Sequence, residues 1–92
     1  FMILLPHTTL PGAAAVAERI RQRIAATPVT FNDGDIPVTS SLGVREYVFD
    51  EDPEKLLMGA DEALYAAKHS GRNRVVTADP PPPRAVLVTT AA

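Results

Sequence analysis

Three cationic side chains, Lys68, Arg72 and Arg74, lie close together in the sequence. Cations at such a spacing suit the oxygens of phosphoryl groups, because Arg is permanently charged and binds two oxygens at once, while Lys is a movable point charge. If the helical pitch continued, Lys68 and Arg72 would be about 6 Å apart along the axis, which suits two adjacent phosphoryl groups. Spacing alone favours the plainer alternative, in which these cations cap carbonyls at a helix end and are otherwise solvated.

The element that must position these cations is a helix that stops at a glycine. Apolar residues at helical spacing predict one buried face, formed by Ala60, Ala63, Leu64 and Ala67. Gly71 suits the position after the C-cap, because glycine adopts positive φ without a steric cost. Upstream, Asp52 suits the N-cap and Pro53 the first turn, so the helix is predicted from there to about Ser70.

An acidic loop precedes this helix, at Asp50, Glu51 and Asp52. Clustered carboxylates raise the alternative of a metal site. Capping by Asp52 already accounts for the helix start, where Glu54 also favours the positive end of the helix, and no further ligand is in view. We therefore predict a capping role and no metal site in this loop.

The remaining segments predict one more helix and several strands around it. The second helix is expected from Leu10 to about Ala26, capped by Thr8 or Thr9. Its apolar stripe is Ala13, Val16, Ala17, Ile20 and Ile24. Strands are expected at residues 1–5, 29–31, 36–48 and 74–77. The predicted order is strand-helix-strand-strand-helix-strand, with a turn at Asp33-Gly34. Gly43 within a strand predicts either a bulge or a close backbone approach.

Composition limits the classes of function. The chain has 92 residues, of which 46% are hydrophobic, so it forms at most one small domain and is not disordered overall. Its net charge of −2 gives no argument for nucleic-acid or membrane binding by bulk charge. The chain has no cysteine, which excludes disulfides and thiolate metal sites. No apolar run approaches the roughly 20 residues that cross a bilayer.

Residues 60–73 match, at every specified position, a signature written A-D-x-A-L-Y-x-A-K-x-x-G-R-N. In this the chain resembles the GGDEF family, the diguanylate cyclases. Leu5-Pro6-His7-Thr8 and the run Ala17–Arg21 resemble the turn and helix of the same family. Val38, Thr39, Ser41, Gly43 and Val44 match its V-T-x-S-x-G-V strand, although for Thr39 and Ser41 a plain strand role is favoured. In that register Phe1 is the last residue of the motif that names the family.

The resemblance implies an α/β (α+β) fold of the nucleotide-cyclase or palm-like type, with a central, mainly antiparallel sheet flanked by helices. Residues 1–77 would be the C-terminal part of such a domain. Residues 78–92 contain a run of prolines, which favours polyproline II, and are predicted to be a linker or disordered tail. Apolar surface on residues 1–5 and on the helix predicted over residues 53–70 is expected to be exposed unless another segment covers it.

The resemblance also implies an activity, the condensation of two GTP molecules into cyclic di-GMP with Mg²⁺. Lys68 and Arg72 would then contact the GTP phosphates, whereas Arg74 carries no role and is predicted to be solvated. The metal-binding carboxylates and the guanine pocket would lie before Phe1, so no catalytic or metal-binding residue is assigned within this chain. Arg19 matches a residue of the family's product-inhibition site, with a solvated side chain as the open alternative.

Three functions remain open at this point. In the first, which the resemblance implies, the chain would be part of a bacterial, cytoplasmic signalling enzyme that works as a homodimer with an N-terminal sensory or regulatory domain. In the second, it would belong to a degenerate domain that senses GTP or cyclic di-GMP without turnover. The third is a plain interaction domain with shared ancestry only. In the first case, the 92-residue chain by itself is predicted to be inactive.

Overall fold

The computed structural model describes residues 1–78, and the predicted tail therefore lies almost wholly outside the described residues. Within them the α/β class is confirmed, because the chain forms two helices and four short strands. The elements are α1 (Leu10–Ala25), β1 (Val29–Phe31), β2 (Gly34–Ile36), β3 (Leu42–Val44), α2 (Pro53–His69) and β4 (Val75–Thr77). No helix of this part of the chain has the length and apolarity needed to cross a membrane.

Both helices begin at the caps that the sequence predicts. At the start of α1, the Thr9 hydroxyl accepts a hydrogen bond from the Gly12 N–H at 3.3 Å. At the start of α2, the Asp52 carboxylate accepts one from the Glu54 N–H at 3.0 Å. These bonds satisfy backbone donors that have no partner within a helix, which fixes where each helix starts.

The strands form two separate pairs. β1 and β2 make an antiparallel hairpin whose turn residues, Asn32 and Asp33, have φ of 50° and 66°, as a type I′ turn requires. β3 and β4 pair in parallel, with Leu42 opposite Val75. A parallel pair needs a crossover connection, and α2 provides it.

The small core lies where α1 and α2 cover the β3–β4 pair. Ala17 of α1 and Ala63 and Ala67 of α2 are buried, with Ala67 fully enclosed. A Cβ atom at Gly43 would overlap the backbone oxygen of Ala60 and the backbone nitrogen of Leu64. The close backbone approach predicted at Gly43 is therefore confirmed, and it lets α2 lie directly on β3.

The predicted strand at residues 1–5 does not form. These residues form no strand and are exposed, Phe1 and Leu4 strongly so. The four described strands pair only as β1 with β2 and β3 with β4, and none of them makes a ladder with residues 1–5, which a strand requires. The prediction of a buried strand there is wrong, while the predicted exposure of apolar surface is confirmed.

The long strand predicted over residues 36–48 is also shorter than expected. It divides into the end of β2 and the three residues of β3. Pro37 directly follows β2 and lacks the N–H that a ladder requires, which explains the interruption.

A buried ion pair between Arg45 and Glu51 occupies the loop from β3 to α2. Their side chains are only 7% and 5% exposed. The other carboxylate oxygen of Glu51 accepts a hydrogen bond from the Val48 N–H at 2.9 Å, and the Arg45 guanidinium also donates to the Lys55 carbonyl. A Cβ at Gly59 would overlap the Arg45 side chain, so this helical glycine leaves room for it.

We expect this pair to make stability sensitive to acid. Burial by itself raises the pKa of Glu51, but the Val48 N–H and the Arg45 guanidinium outweigh it and lower the pKa below its ordinary value. A carboxylate with a lowered pKa stabilises the fold at pH values above its unfolded pKa, and this stability is lost as the pH falls through the folded pKa.

The measurement is thermal unfolding across the acid range, comparing the unchanged protein with Glu51→Gln. The variant should lose part of the acid dependence; the remaining part comes from Glu18, whose pKa is also lowered. An identical acid dependence in both proteins would contradict the role of Glu51.

Candidate anion-binding site

The C-terminus of α2 turns back on itself at Gly71. The helix ends at His69, and Gly71 has a φ of 126°, which confirms it as the stop residue. The Arg72 N–H then donates to the Ala67 carbonyl at 2.9 Å, the bond that characterises a Schellman C-cap. The helical pitch therefore does not continue to Arg72, and the axial spacing estimated from the sequence does not apply. The backbone of Arg72 instead lies beside the last turn of the helix.

Lys68 and Arg72 are both exposed at this end of the helix. Neither side chain takes part in an ion pair or hydrogen bond within residues 1–78. The partial negative charge of a helix C-terminus stabilises nearby cations, yet no carboxylate of the described chain neutralises them. Two such side chains remain available to an anion from outside.

Arg74 behaves differently from the other two cations. Its side chain is exposed, but its Nε donates to the Arg72 carbonyl at 3.1 Å. A Cβ at Gly71 would overlap the Arg74 guanidinium, so the side chain crosses directly over the glycine. Arg74 is thus exposed to solvent and also stabilises the turn through its hydrogen bond to the Arg72 carbonyl.

Asn73 lies within this turn and links it to α1 and to the residue before β3. Its N–H donates to the Ser41 hydroxyl at 3.2 Å, just before β3. Its side-chain oxygen accepts a hydrogen bond from Arg21 of α1 at 2.9 Å. Ser41 therefore does more than the plain strand role that the sequence suggested, because it ties the turn to the start of β3.

Arg21 is held in place by its own helix. Its guanidinium donates to both carboxylate oxygens of Glu18, one of them at 2.8 Å. The bond from Arg21 lowers the pKa of Glu18, and the same bond raises the pKa of Arg21, so both stay charged. The spacing of Glu18 and Arg21 was a local signal in the sequence for this ion pair. No such signal pointed to the hydrogen bond between Arg21 and Asn73, because 52 positions separate those two residues.

The other residues singled out from the sequence lie apart from this network. Arg19 is exposed on α1, and its side chain has no hydrogen bond or ion pair within residues 1–78. Phe1 is exposed in the unpaired N-terminal segment. Tyr65, the tyrosine of the signature over residues 60–73, packs its ring against that of His69, and the ring centroids lie 3.9 Å apart. His69 directly follows Lys68 in the sequence.

The Mg²⁺ implied by the resemblance has no fitting ligand set in the described residues. Residues 1–78 contain no group of three or more His, Cys, Asp or Glu side chains placed to hold a metal ion. Glu51 of the acidic loop forms an ion pair with Arg45, and Asp52 caps the start of α2. This part of the chain therefore offers cations for phosphate and no carboxylate cluster for a metal.

The chain is similar in sequence to known proteins. Diguanylate cyclase A of Treponema denticola is 42% identical over 76 residues, and the response regulator PleD of Caulobacter vibrioides is 44% identical over 79. The alignments cover 82% and 83% of this chain, but the chain spans only 20% and 17% of those relatives.

Solved structures match the fold as well. The GGDEF domain of DgcB from Caulobacter crescentus, in complex with c-di-GMP, superposes with a TM-score of 0.77 at 31% identity. The active GGEEF domain of a diguanylate cyclase from Vibrio cholerae gives 0.68 at 34% identity. Each match covers 82% of this chain, and 44% and 47% of the solved chains respectively. Residues 1–74 match the family described as diguanylate cyclase, GGDEF domain, and the chain belongs to that family.

Proposed function

We propose that this chain is the C-terminal part of a diguanylate cyclase domain and that Lys68 and Arg72 bind the phosphates of GTP. The observation that carries the proposal is the pair of exposed cations, without a partner in residues 1–78, at a helix end that a Schellman turn fixes. Both belong to the signature by which the chain resembles the family. An alternative role in capping carbonyls is weakened, because neither side chain donates to one in this part of the chain.

Arg72 and Lys68 differ in the contacts that they can make with phosphate. The planar guanidinium of Arg72 suits two oxygens of one phosphoryl group. The ammonium group of Lys68 is a point charge on a flexible side chain, so it can donate to phosphate oxygens in several positions. Together they neutralise a phosphate chain that would otherwise repel a second nucleotide. Cyclases of this family are generally Mg²⁺-dependent, and bound Mg²⁺ would supply further charge neutralisation from ligands outside residues 1–78.

The proposal extends to the oligomeric state of the protein and to the regulation of its activity. Condensing two GTP molecules needs two such domains facing each other, so we infer a homodimer, in the cytoplasm, under an N-terminal sensory or regulatory domain. Arg19 is exposed on α1 and accessible to the product, cyclic di-GMP. We assign it, as a secondary proposal, to product inhibition.

The test compares the 92-residue chain with the complete protein that carries it, each incubated with GTP and Mg²⁺. The complete protein should form cyclic di-GMP, and the chain alone should form none, because it lacks a carboxylate cluster for the metal in its described part. Product from the chain alone would contradict its predicted inactivity. GTP binding without product from the complete protein would favour the degenerate sensor instead.

A further inference from the structure

The turn that carries Arg72 has a strained backbone. Gly71, Arg72 and Asn73 have successive φ values of 126°, 61° and 47°. Glycine adopts this region freely and asparagine tolerates it, but an arginine there places its Cβ against the backbone. Such a conformation persists only where neighbouring contacts determine it. The contacts around Arg72 therefore decide where its guanidinium is presented.

Those contacts hold Arg72 from both sides. On the helix side, its N–H is fixed to the Ala67 carbonyl at 2.9 Å. On the strand side, the next residue is fixed twice, because the Asn73 N–H binds Ser41 and the Asn73 side chain binds Arg21. Of these anchors, the Arg21 bond is the one supplied by α1.

Arg21 is well suited to serve as a rigid anchor. Its side chain is only 19% exposed, and two of its nitrogens are bound to Glu18 while a third reaches Asn73. Glu18 is itself held by Gln22 at 3.3 Å. A lysine has one nitrogen and no planar array of donors, so it cannot bind Glu18 in this way and reach Asn73 with fixed geometry.

We propose that Arg21 is a positioning residue for phosphate binding: through Asn73 it fixes the turn that presents Arg72. This inference rests on the proposed function, since it needs Arg72 to contact the GTP phosphates. It adds a residue on the opposite helix, remote in sequence, that sets how well the site binds without touching the nucleotide itself.

The test measures the KM for GTP in the complete protein. Arg21→Ala, Arg21→Lys and Asn73→Gly should each raise the KM by about three- to tenfold, as expected for coupled neighbours. Asn73→Gly removes the side-chain oxygen while keeping positive φ accessible. Arg23→Ala, which removes an exposed cation from the same helix, should leave the KM unchanged. Thermal unfolding of each variant checks that the fold is retained.

Double variants separate positioning from general stability. If Arg21 acts through Arg72, adding Arg21→Ala to Arg72→Ala should raise the KM no further, whereas adding it to Lys68→Ala should multiply the two effects. The inference is overturned if Arg21→Ala raises the KM by the same factor when added to Arg72→Ala as when added to Lys68→Ala. An unchanged KM in Arg21→Lys overturns it as well. An unchanged kcat/KM for GTP in both Lys68→Ala and Arg72→Ala overturns the proposed function, and this inference with it. An effect of those two variants without one from Arg21 overturns the inference alone.

Discussion

Gly43→Ala is expected to lower the free energy of unfolding by about 3 kcal/mol, the upper end of the usual cost of overpacking. The added methyl group would overlap the Ala60 oxygen and Leu64 nitrogen and lie 2.8 Å from the Leu64 Cα. All three are backbone atoms of α2, so no side-chain rotation can relieve the overlap. The helix must move away from β3, and the small core between them opens.

Gly34→Ala is the matched control for this substitution. Gly34 also lies in a strand, but a Cβ there would meet only the Phe31 carbonyl, at an ordinary 3.7 Å. We expect a change within about 0.5 kcal/mol for such an exposed position. Denaturant unfolding of the two variants gives the comparison. Equal stabilities would mean that α2 does not pack on β3 as described.

Lys68→Ala and Arg72→Ala are expected to have the largest effect on activity. Each removes a charged donor that we place on the GTP phosphates, and charge-assisted bonds contribute about 1.5–3 kcal/mol. The kcat/KM for GTP should therefore fall by about 10- to 100-fold in the complete protein for either change. Steady-state formation of cyclic di-GMP measures it.

Lys55→Ala provides the control, because Lys55 is the other lysine of the chain and lies exposed in the first half of α2. It removes the same charge from the same helix, far from the C-terminal turn. Its kcat/KM should stay close to that of the unchanged protein. If Lys55→Ala and Lys68→Ala reduced activity equally, the effect would be one of overall charge and Lys68 would have no special role.

The sequence predicted well what neighbouring residues determine. The caps at Thr9 and Asp52 and the stop at Gly71 depend on contacts within a few positions, and all three are confirmed. The hairpin turn predicted at Asp33-Gly34 also forms, but one residue earlier, at Asn32 and Asp33, with Gly34 as the first residue of β2. The apolar faces of both helices were predictable because helical spacing alone places them on one side.

The interruption of the strand predicted over residues 36–48 has a local cause, Pro37, but the failed prediction at residues 1–5 and the missed contact of Arg21 depend on residues distant in the chain. Whether residues 1–5 form a strand is decided by a pairing partner, and none of the described strands pairs with them. The contact between Arg21 and Asn73 is likewise made only when α1 and the turn after α2 meet. The family signature drew attention to the two cations at the end of α2, but gave no sign that Arg21 of α1 contacts the turn after them.

The most direct test of phosphate binding by this helix end is calorimetric binding of GTP and of guanosine to the complete protein, with and without the double change Lys68→Ala, Arg72→Ala. We predict that the Kd for GTP rises by at least about tenfold in the double variant, while the Kd for guanosine does not change. A double variant that binds GTP as tightly as the unchanged protein would contradict the assignment of these two cations to the phosphates.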